Sequence, residues 1–258
     1  MFKRTLTSLA FVALAGTAMA ADLPSRKGPV LAPIAPIFTW TGFYVGVNAG
    51  AVFTDADIRT EGNAANTIAN VAANRRPAGL SQDETGFTIG GQIGYNYQIG
   101  NVVLGAEADL AYTDVSRRTS FTSTLNDRAV FSQDLEYLGT VRARVGYAFD
   151  RFMVYATGGL AYGEAKNRAD FYANTIGNPL QFTGGKSDVE FGYAVGGGVE
   201  YAFTNNLSLK AEYLYYDLGK TKVLVNAVPG VGVNSYTSTF KNDGHIVRAG
   251  LNYRFSTY

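Results

Sequence analysis

The sequence predicts an all-β protein, an eight-stranded antiparallel transmembrane β-barrel with up-and-down connections. Three observations lead to this prediction. The N-terminus carries an export signal, eight later segments alternate apolar with other residues, and the connections between those segments are short and long in turn. The 258 residues are enough for one large all-β domain.

The N-terminus has the three parts of a secretory signal. Two basic residues come first, residues 5–17 are apolar, and Ala18 and Ala20 match the small-residue cleavage pattern. We expect cleavage before Ala21, so that residues 1–20 are a signal peptide. The apolar stretch is shorter than the roughly 20 residues that a membrane-spanning helix needs, which argues against an uncleaved anchor.

The exported chain is predicted to have two parts. Residues 21–39 contain four prolines and read as an extended periplasmic lead-in, and residues 40–258 carry the barrel. There is no cysteine, which excludes disulfides, thiolate metal sites and a cysteine nucleophile. The formal charge is +1 without a basic stripe, so we expect no nucleic-acid partner.

Eight segments alternate with a period of two, as half-buried strands do. They are residues 41–53, 86–98, 102–112, 134–149, 152–163, 188–203, 207–218 and 244–255. Three connections are tight hairpins with turn-forming residues, at 99–101, 150–151 and 204–206. The other four are long and polar, at 54–85, 113–133, 164–187 and 219–243. Short periplasmic turns opposite long extracellular loops are typical of outer-membrane barrels.

The composition of the two strand faces indicates which one meets lipid. The face opposite the apolar one is rich in glycine and has few charged residues. This composition suits the cramped interior of an eight-stranded barrel better than a water-facing surface. The apolar face carries aromatic residues near both strand ends, as expected where a barrel wall crosses two membrane–water interfaces. A soluble barrel with its apolar face inside is the less favoured alternative.

Charged residues of both signs have the parity of the lumenal face. They are Glu107, Asp109, Arg142, Arg144, Glu190, Glu200, Lys210, Glu212, Arg248 and Arg254. Buried charges must be paired, and the acidic residues of the third strand face basic residues of the fourth. We expect a structural plug of salt bridges; a selective or gated pore is the alternative.

The first and last strands resemble a known family. Residues 39–50 (TWTGFYVGVNAG), the residues 21–24 that follow the signal peptide, and residues 247–255 (VRAGLNYRF) are similar to the alphaproteobacterial outer-membrane β-barrel surface antigens. That family includes the 25- and 31-kDa major outer-membrane proteins and related haem-binding surface proteins. The resemblance covers essentially the whole mature chain and implies an abundant, surface-exposed envelope protein.

Such barrels end on an aromatic residue that the barrel-assembly machinery reads. Here Phe255 continues the face of Tyr253, and Tyr258 lies beyond it and out of phase. Either Phe255 or Tyr258 could serve as this assembly signal, and we favour Phe255. Expected partners are therefore the assembly machinery, outer-membrane lipid and lipopolysaccharide, and a host or surface ligand of the long loops.

The sequence gives little support for a catalytic or cofactor-binding site. The single histidine, His245, has Asp243 and Ser238 nearby in sequence, but an acyl-transfer site needs these groups to meet in space. The resemblance raises haem binding, for which His245, Tyr172 and Tyr236 are candidates. We expect a non-enzymatic protein without a resident cofactor or metal, with passive transport or haem binding at the loops as alternatives.

Overall fold

The chain folds as a closed, eight-stranded antiparallel barrel in a computed structural model that describes residues 38–175 and 177–255. Each strand pairs with its neighbours in sequence, and the first strand pairs with the last. The elements are β1 (Gly42–Gly62), α1 (Ala65–Ala72), β2 (Gly79–Ile99), β3 (Val102–Thr122), β4 (Arg128–Phe149), β5 (Phe152–Tyr172), β6 (Leu180–Ala202), β7 (Leu207–Ala227) and β8 (Ser235–Phe255). The predicted fold class and strand order are confirmed.

The predicted signal peptide and cleavage site, with Ala18, Ala20 and Ala21, lie outside the described residues, as does Tyr258. Within residues 38–175 and 177–255, no helix is long and apolar enough to cross a membrane.

The three tight hairpins lie at one end of the barrel, as predicted. β2 and β3 are joined by two residues, of which Gly100 has a φ of +60°, and β4 and β5 by two residues, of which Asp150 has a φ of +56°. Glycine and aspartate tolerate this left-handed conformation, which the narrow turns require. Residues 203–206 make the third hairpin.

Each strand is 6 to 10 residues longer than predicted, and this corrects the four long loops. Each strand has 21 to 23 residues, whereas about 9–11 are enough to cross the hydrocarbon core. Half of the predicted loop 54–85 and most of each of the other three is strand. What remains as connection is 63–78, which contains α1, and the short segments 123–127, 173–179 and 228–234.

Bulges explain why two of the alternating patterns were read too short. The register of β4 shifts between Leu135 and Leu138, and that of β7 shifts between Asp217 and Lys220. In β7 the buried positions are even up to Leu218 and odd from Thr221 onward. An extra residue in one strand reverses which parity faces inward, so the alternation breaks although the strand continues.

We call the part of the barrel between the hairpins and the second aromatic girdle the lower barrel. Its outward face is apolar, which confirms the predicted orientation. Alternate residues of every strand near the hairpins are exposed aliphatic or aromatic side chains, such as Val45 and Val47 in β1. Aromatic residues flank this band: Phe43, Tyr97, Tyr147, Phe149, Tyr201, Phe203, Tyr253 and Phe255 toward the hairpins, and Phe53, Phe87, Tyr112, Phe191 and Tyr193 at the other side. Such a band between two aromatic girdles is the lipid-facing surface of a membrane barrel.

Beyond the second girdle the wall continues as what we call the outer half: residues 54–62, 79–86, 113–122, 128–136, 163–172, 180–190, 216–227 and 235–244. Here the ladder is interrupted at two seams. Among the described residues, β2 and β3 pair no further than Phe87 with Asp114, and β6 and β7 do not pair between Thr183–Asn226 and Tyr193–Asp217. The outer half therefore divides into two four-stranded sheets, β2-β1-β8-β7 and β3-β4-β5-β6, which are joined again at the rim by the β6–β7 pairs Phe182–Ala227 and Thr183–Asn226.

An aromatic cluster fills the space between these two sheets, and we call it the outer core. Its buried members come from both sheets: Ile58, Val223, Val225, Tyr236 and Phe240 from one, and Ala129, Phe131, Ala169, Phe171 and Phe182 from the other. The rings meet edge to face, with centroids 4.9 Å apart for Phe182 and Tyr236. Val71 of α1 packs against the cluster. The outer half is thus held together like a β-sandwich in water.

The strand pairing of the outer half predicts slow amide hydrogen exchange where the sequence alone predicts a loop. Residues 165–172 of β5 are paired to β4 and to β6, so their amides should exchange orders of magnitude more slowly than those of the connection 228–234. Exchange mass spectrometry of the detergent-solubilised protein measures both. Equal, fast exchange in the two segments would restore the long loop that the sequence alone predicts.

Candidate functional site: the barrel lumen

The lumen of the membrane-spanning part contains a balanced set of buried charges. Four carboxylates and four cations are in mutual contact: Glu107, Asp109, Glu200, Glu212, Arg142, Arg144, Lys210 and Arg248. All eight were predicted for this face. We call this set the lumenal ion network.

Arg142 is at the centre of the network. Its side chain is fully buried, and its guanidinium nitrogens lie 2.7 Å from Glu107, 2.8 Å from Asp109 and 3.2 Å from Glu212. The register makes this possible, because Arg142 of β4 is the direct cross-strand partner of Glu107 in β3. The other cations complete the set: Arg248 lies 3.0 Å from Asp109 and 2.6 Å from Glu212, Lys210 lies 2.9 Å from Glu107, and Arg144 lies 3.1 Å from Glu200.

Two tyrosines belong to the network, although sequence reasoning did not include them. The Tyr44 hydroxyl donates to Glu107 at 2.7 Å, and the Tyr155 hydroxyl donates to Glu212 at 3.0 Å. Each ring lies over an inward-facing glycine: Tyr44 over Gly94, and Tyr155 with its hydroxyl 2.8 Å from where a Cβ of Gly198 would stand. The signal was a tyrosine on a face otherwise made of glycine and polar residues.

Two of the predicted network residues lie elsewhere. Glu190 is higher in β6, half-buried, and accepts a hydrogen bond from Thr221 at 2.9 Å. Arg254 is at the hairpin end, where it donates to the Asn205 carbonyl and its guanidinium lies 5.4 Å from the Trp40 ring centroid. Parity placed both inside the barrel correctly, but parity carries no information about height along the axis.

The hairpin end of the lumen is closed by Trp40. Its side chain is 1% exposed, and its indole Nε1 donates to the Asp150 carbonyl at 3.0 Å. Phe38 packs edge to face on Trp40, with centroids 5.2 Å apart. Phe38 was counted in the lead-in, so the structure moves the start of the packed barrel to this residue. The role of Trp40 was missed because an isolated tryptophan before a strand shows no periodicity.

Apolar layers also close the lumen above the ion network. A buried layer that includes Val52, Leu138, Leu214 and Ile246 comes directly after it. The cavity between this layer and the outer core has a volume of about 30 Å³, which is room for about one or two waters. The outer core then fills the top of the barrel.

The three candidate haem ligands are not brought together. Tyr236 is fully buried in the outer core, where its hydroxyl accepts from Asn70 at 3.0 Å. His245 is on the outward face of β8, with Nδ1 2.7 Å from the Tyr213 hydroxyl at the upper girdle. Tyr172 is the last residue of β5, and its ring centroid lies 6.0 Å from the guanidinium carbon of Arg128. These three residues therefore do not form one shared haem site.

The catalytic alternative fails on geometry as well. Ser238 is fully buried and shares a hydrogen bond with Thr60, whereas His245 faces outward on the same strand. Asp243 is paired with Lys241 at 2.6 Å, and this hydrogen bond raises the pKa of Lys241. In the described part of the chain, no three His, Cys, Asp or Glu residues come close enough together to hold a metal ion.

The proposed assembly residues Tyr253 and Phe255 are exposed on the outward face at the end of β8. Their rings lie edge to face, with centroids 5.2 Å apart, and Phe255 is the cross-strand partner of Phe43. They therefore lie on the outside of the barrel at the seam where it closes.

Comparisons with known proteins agree with this architecture. The sequence matches the outer membrane protein beta-barrel domain family over residues 7–255. The chain belongs to this family. It is 39% identical to the 31 kDa outer-membrane immunogenic protein of Brucella melitensis, over 93% of this chain and 95% of that protein. It is 32% identical to the 22 kDa outer membrane protein of Rhizobium leguminosarum, over 72% of this chain and 68% of that protein.

Among solved structures, the chain is similar to the outer membrane protein OprG of Pseudomonas aeruginosa. The TM-score is 0.52 at 16% identity, over 84% of this chain and 97% of that one, which shows a shared fold. The predicted resemblance to the surface-antigen family is confirmed, and so is the predicted location in the outer membrane.

The geometry of the ion network predicts the effect of removing its centre. Arg142→Met should lower the free energy of unfolding by about 3–5 kcal/mol, because three carboxylates lose a buried partner at once. Urea unfolding in lipid vesicles measures this loss. Lys166→Met removes a solvent-exposed pair with Glu136 on the outer wall and is the matched control, which should unfold at the same urea concentration as wild type.

A second variant distinguishes charge from packing. Combining Arg142→Met with Asp109→Asn should cost less than the sum of the two single variants, because each single change leaves the buried network with one unmatched charge and the double variant restores three carboxylates against three cations. Strict additivity would mean that Arg142 and Asp109 are not energetically coupled, contrary to their 2.8 Å separation.

Proposed function

We propose that this outer-membrane barrel is a non-enzymatic, non-conducting structural protein of the envelope, and that its outer half makes its specific contacts. The observation that carries the proposal is the closed lumen. From the hairpin end upward it holds Trp40, the ion network, an apolar layer and the outer core. Each layer of this stack is made of side chains that are buried in the described part of the chain.

The charges of the network support a plug over a selective pore. Its four carboxylates match four cations, and each side chain is at most 3% exposed. A selective pore needs a ring of one sign that is exposed to a water column. Here every charge is already neutralised by a neighbour, so a passing ion would find no uncompensated partner.

The wall above the upper girdle supports a contact with lipopolysaccharide. Lys220 of β7 is exposed there, Lys222 of β7 and Arg59 of β1 are exposed higher on the same wall, and none of the three has an ion pair with any side chain that the structure describes. Cations just above the girdle are at the height of anionic lipid headgroups. For the assembly machinery, the outward Tyr253 and Phe255 at the closing seam are the proposed contact.

Conductance in planar bilayers tests the closed lumen. The purified protein should insert without producing reproducible unitary current steps, while a large porin added to the same membrane serves as the positive control. Arg142→Met should also stay at baseline, because the apolar layers on both sides remain. Steady, reproducible steps from the wild-type protein would overturn the proposal in favour of passive transport.

A further inference from the structure

The outer rim of the barrel contains a cavity of about 400 Å³ that opens away from the membrane. Asn66 and Asn70 of α1 line one wall, Gln181 of β6 another, and residues 230–233 a third. Arg75 and Arg76, which follow α1, complete it. A volume of this size is in the range of small-molecule sites, roughly 300–1,000 Å³.

The rim around the cavity is an ordered structure rather than a set of free loops. Arg76 donates to the Tyr172 carbonyl at 3.3 Å and to the Gln181 side chain at 3.1 Å. Arg75 donates to Asp127 at 2.8 Å. These contacts join the β1–β2 connection to the ends of β4, β5 and β6, so the cavity is largely formed before any ligand arrives.

The cavity carries one positive charge that the described residues do not neutralise. Asp127 is the only described carboxylate within 4 Å of either guanidinium, 2.8 Å from Arg75 and 3.8 Å from Arg76. Arg76, which borders the cavity, is 3% exposed, and its Nε has no hydrogen-bond partner among the described residues. Arg75 is 44% exposed, and its guanidinium contacts Asp127 through Nε and Nη2, which leaves Nη1 for a ligand.

Burial lowers the pKa of Arg76, and the hydrogen bond to Asp127 raises that of Arg75. Both shifts start from a value so high that both side chains stay charged at neutral pH. With Asp127 beside them, the two arginines leave the cavity with one net positive charge, which favours an anionic ligand. A buried donor without a partner is costly, so a ligand acceptor near Arg76 would be stabilised.

The remaining lining indicates what carries that negative charge. The side-chain amides of Asn66, Asn70 and Gln181 offer both donors and acceptors, which suits a ligand with several hydroxyl groups. The lining is mostly polar, which disfavours a large flat apolar ligand. We propose that this cavity binds a carboxylate-bearing saccharide of one or two rings from the medium or a neighbouring surface.

The proposal rests on the proposed function only in taking the outer half as the contact region. Its test is separate, because a conducting barrel could still bind such a ligand and a closed barrel could fail to bind one. Glucuronate represents envelope polysaccharides, N-acetylneuraminate represents animal cell-surface glycans, and glucose and inorganic phosphate are the comparison ligands. Titration calorimetry is done on the full-length protein purified from outer membranes in detergent.

We expect at least one of the two acidic sugars to bind, and glucose and phosphate not to bind. Arg75→Gln should weaken that binding about tenfold or more, since it removes a charge-assisted hydrogen-bond donor. Val231→Trp should abolish it by filling the cavity from an exposed position. Arg128→Gln is the matched control, because Arg128 is on the same rim but does not line the cavity.

Heat-modifiable gel migration shows that each variant is folded before it is titrated. Equal affinity for glucose and glucuronate would overturn the proposal, and so would binding of phosphate as tightly as the sugars. Absence of binding to either acidic sugar, or an unchanged affinity in both cavity variants, would overturn it as well.

Discussion

The membrane-spanning part of this barrel depends on the mutual neutralisation of charges in its lumen. The interior of an eight-stranded barrel must be filled by side chains, and the outward face of its wall, which meets lipid, must be apolar. If the lumen were apolar too, a strand displaced by one residue would present an equally acceptable face to lipid. The ion network removes this ambiguity, because a slip would place Glu107 or Arg142 in hydrocarbon.

The lower barrel could be predicted closely from the sequence, since lipid and lumen impose opposite demands on neighbouring residues. Strand order, the hairpins and eight of the ten proposed network charges all follow from a period of two and the sign of the charges. Glu190 and Arg254 were placed on the correct face but at the wrong height. The contributions of Tyr44 and Trp40 depend on what lies across the lumen, which one strand's pattern does not show.

The outer half could not be predicted because its outside medium is water. Once the wall leaves the membrane, its exterior becomes charged and its interior apolar, and the bulges in β4 and β7 reverse the parity near the same height. A search for apolar residues at constant parity therefore stops at the girdle. The aromatic residues of the outer core were visible in the sequence, but they were scattered through stretches read as polar loops.

The height at which the outward face changes from apolar to charged also determines which ligands each part of the outer half can reach. After Phe53 at the upper girdle, β1 continues to Gly62, which lifts the rim roughly 20–25 Å above the lipid surface at ~3.3 Å per residue and a tilt of about 40°. Headgroup phosphates lie at the foot of the outer half, within reach of Lys220 but not of Arg75. The wall and the rim therefore meet different chemistry, lipid below and saccharide or a neighbouring surface above. The outer core makes both possible, because two sheets packed on an aromatic cluster can hold Arg76 and Asp127 in place far from the membrane.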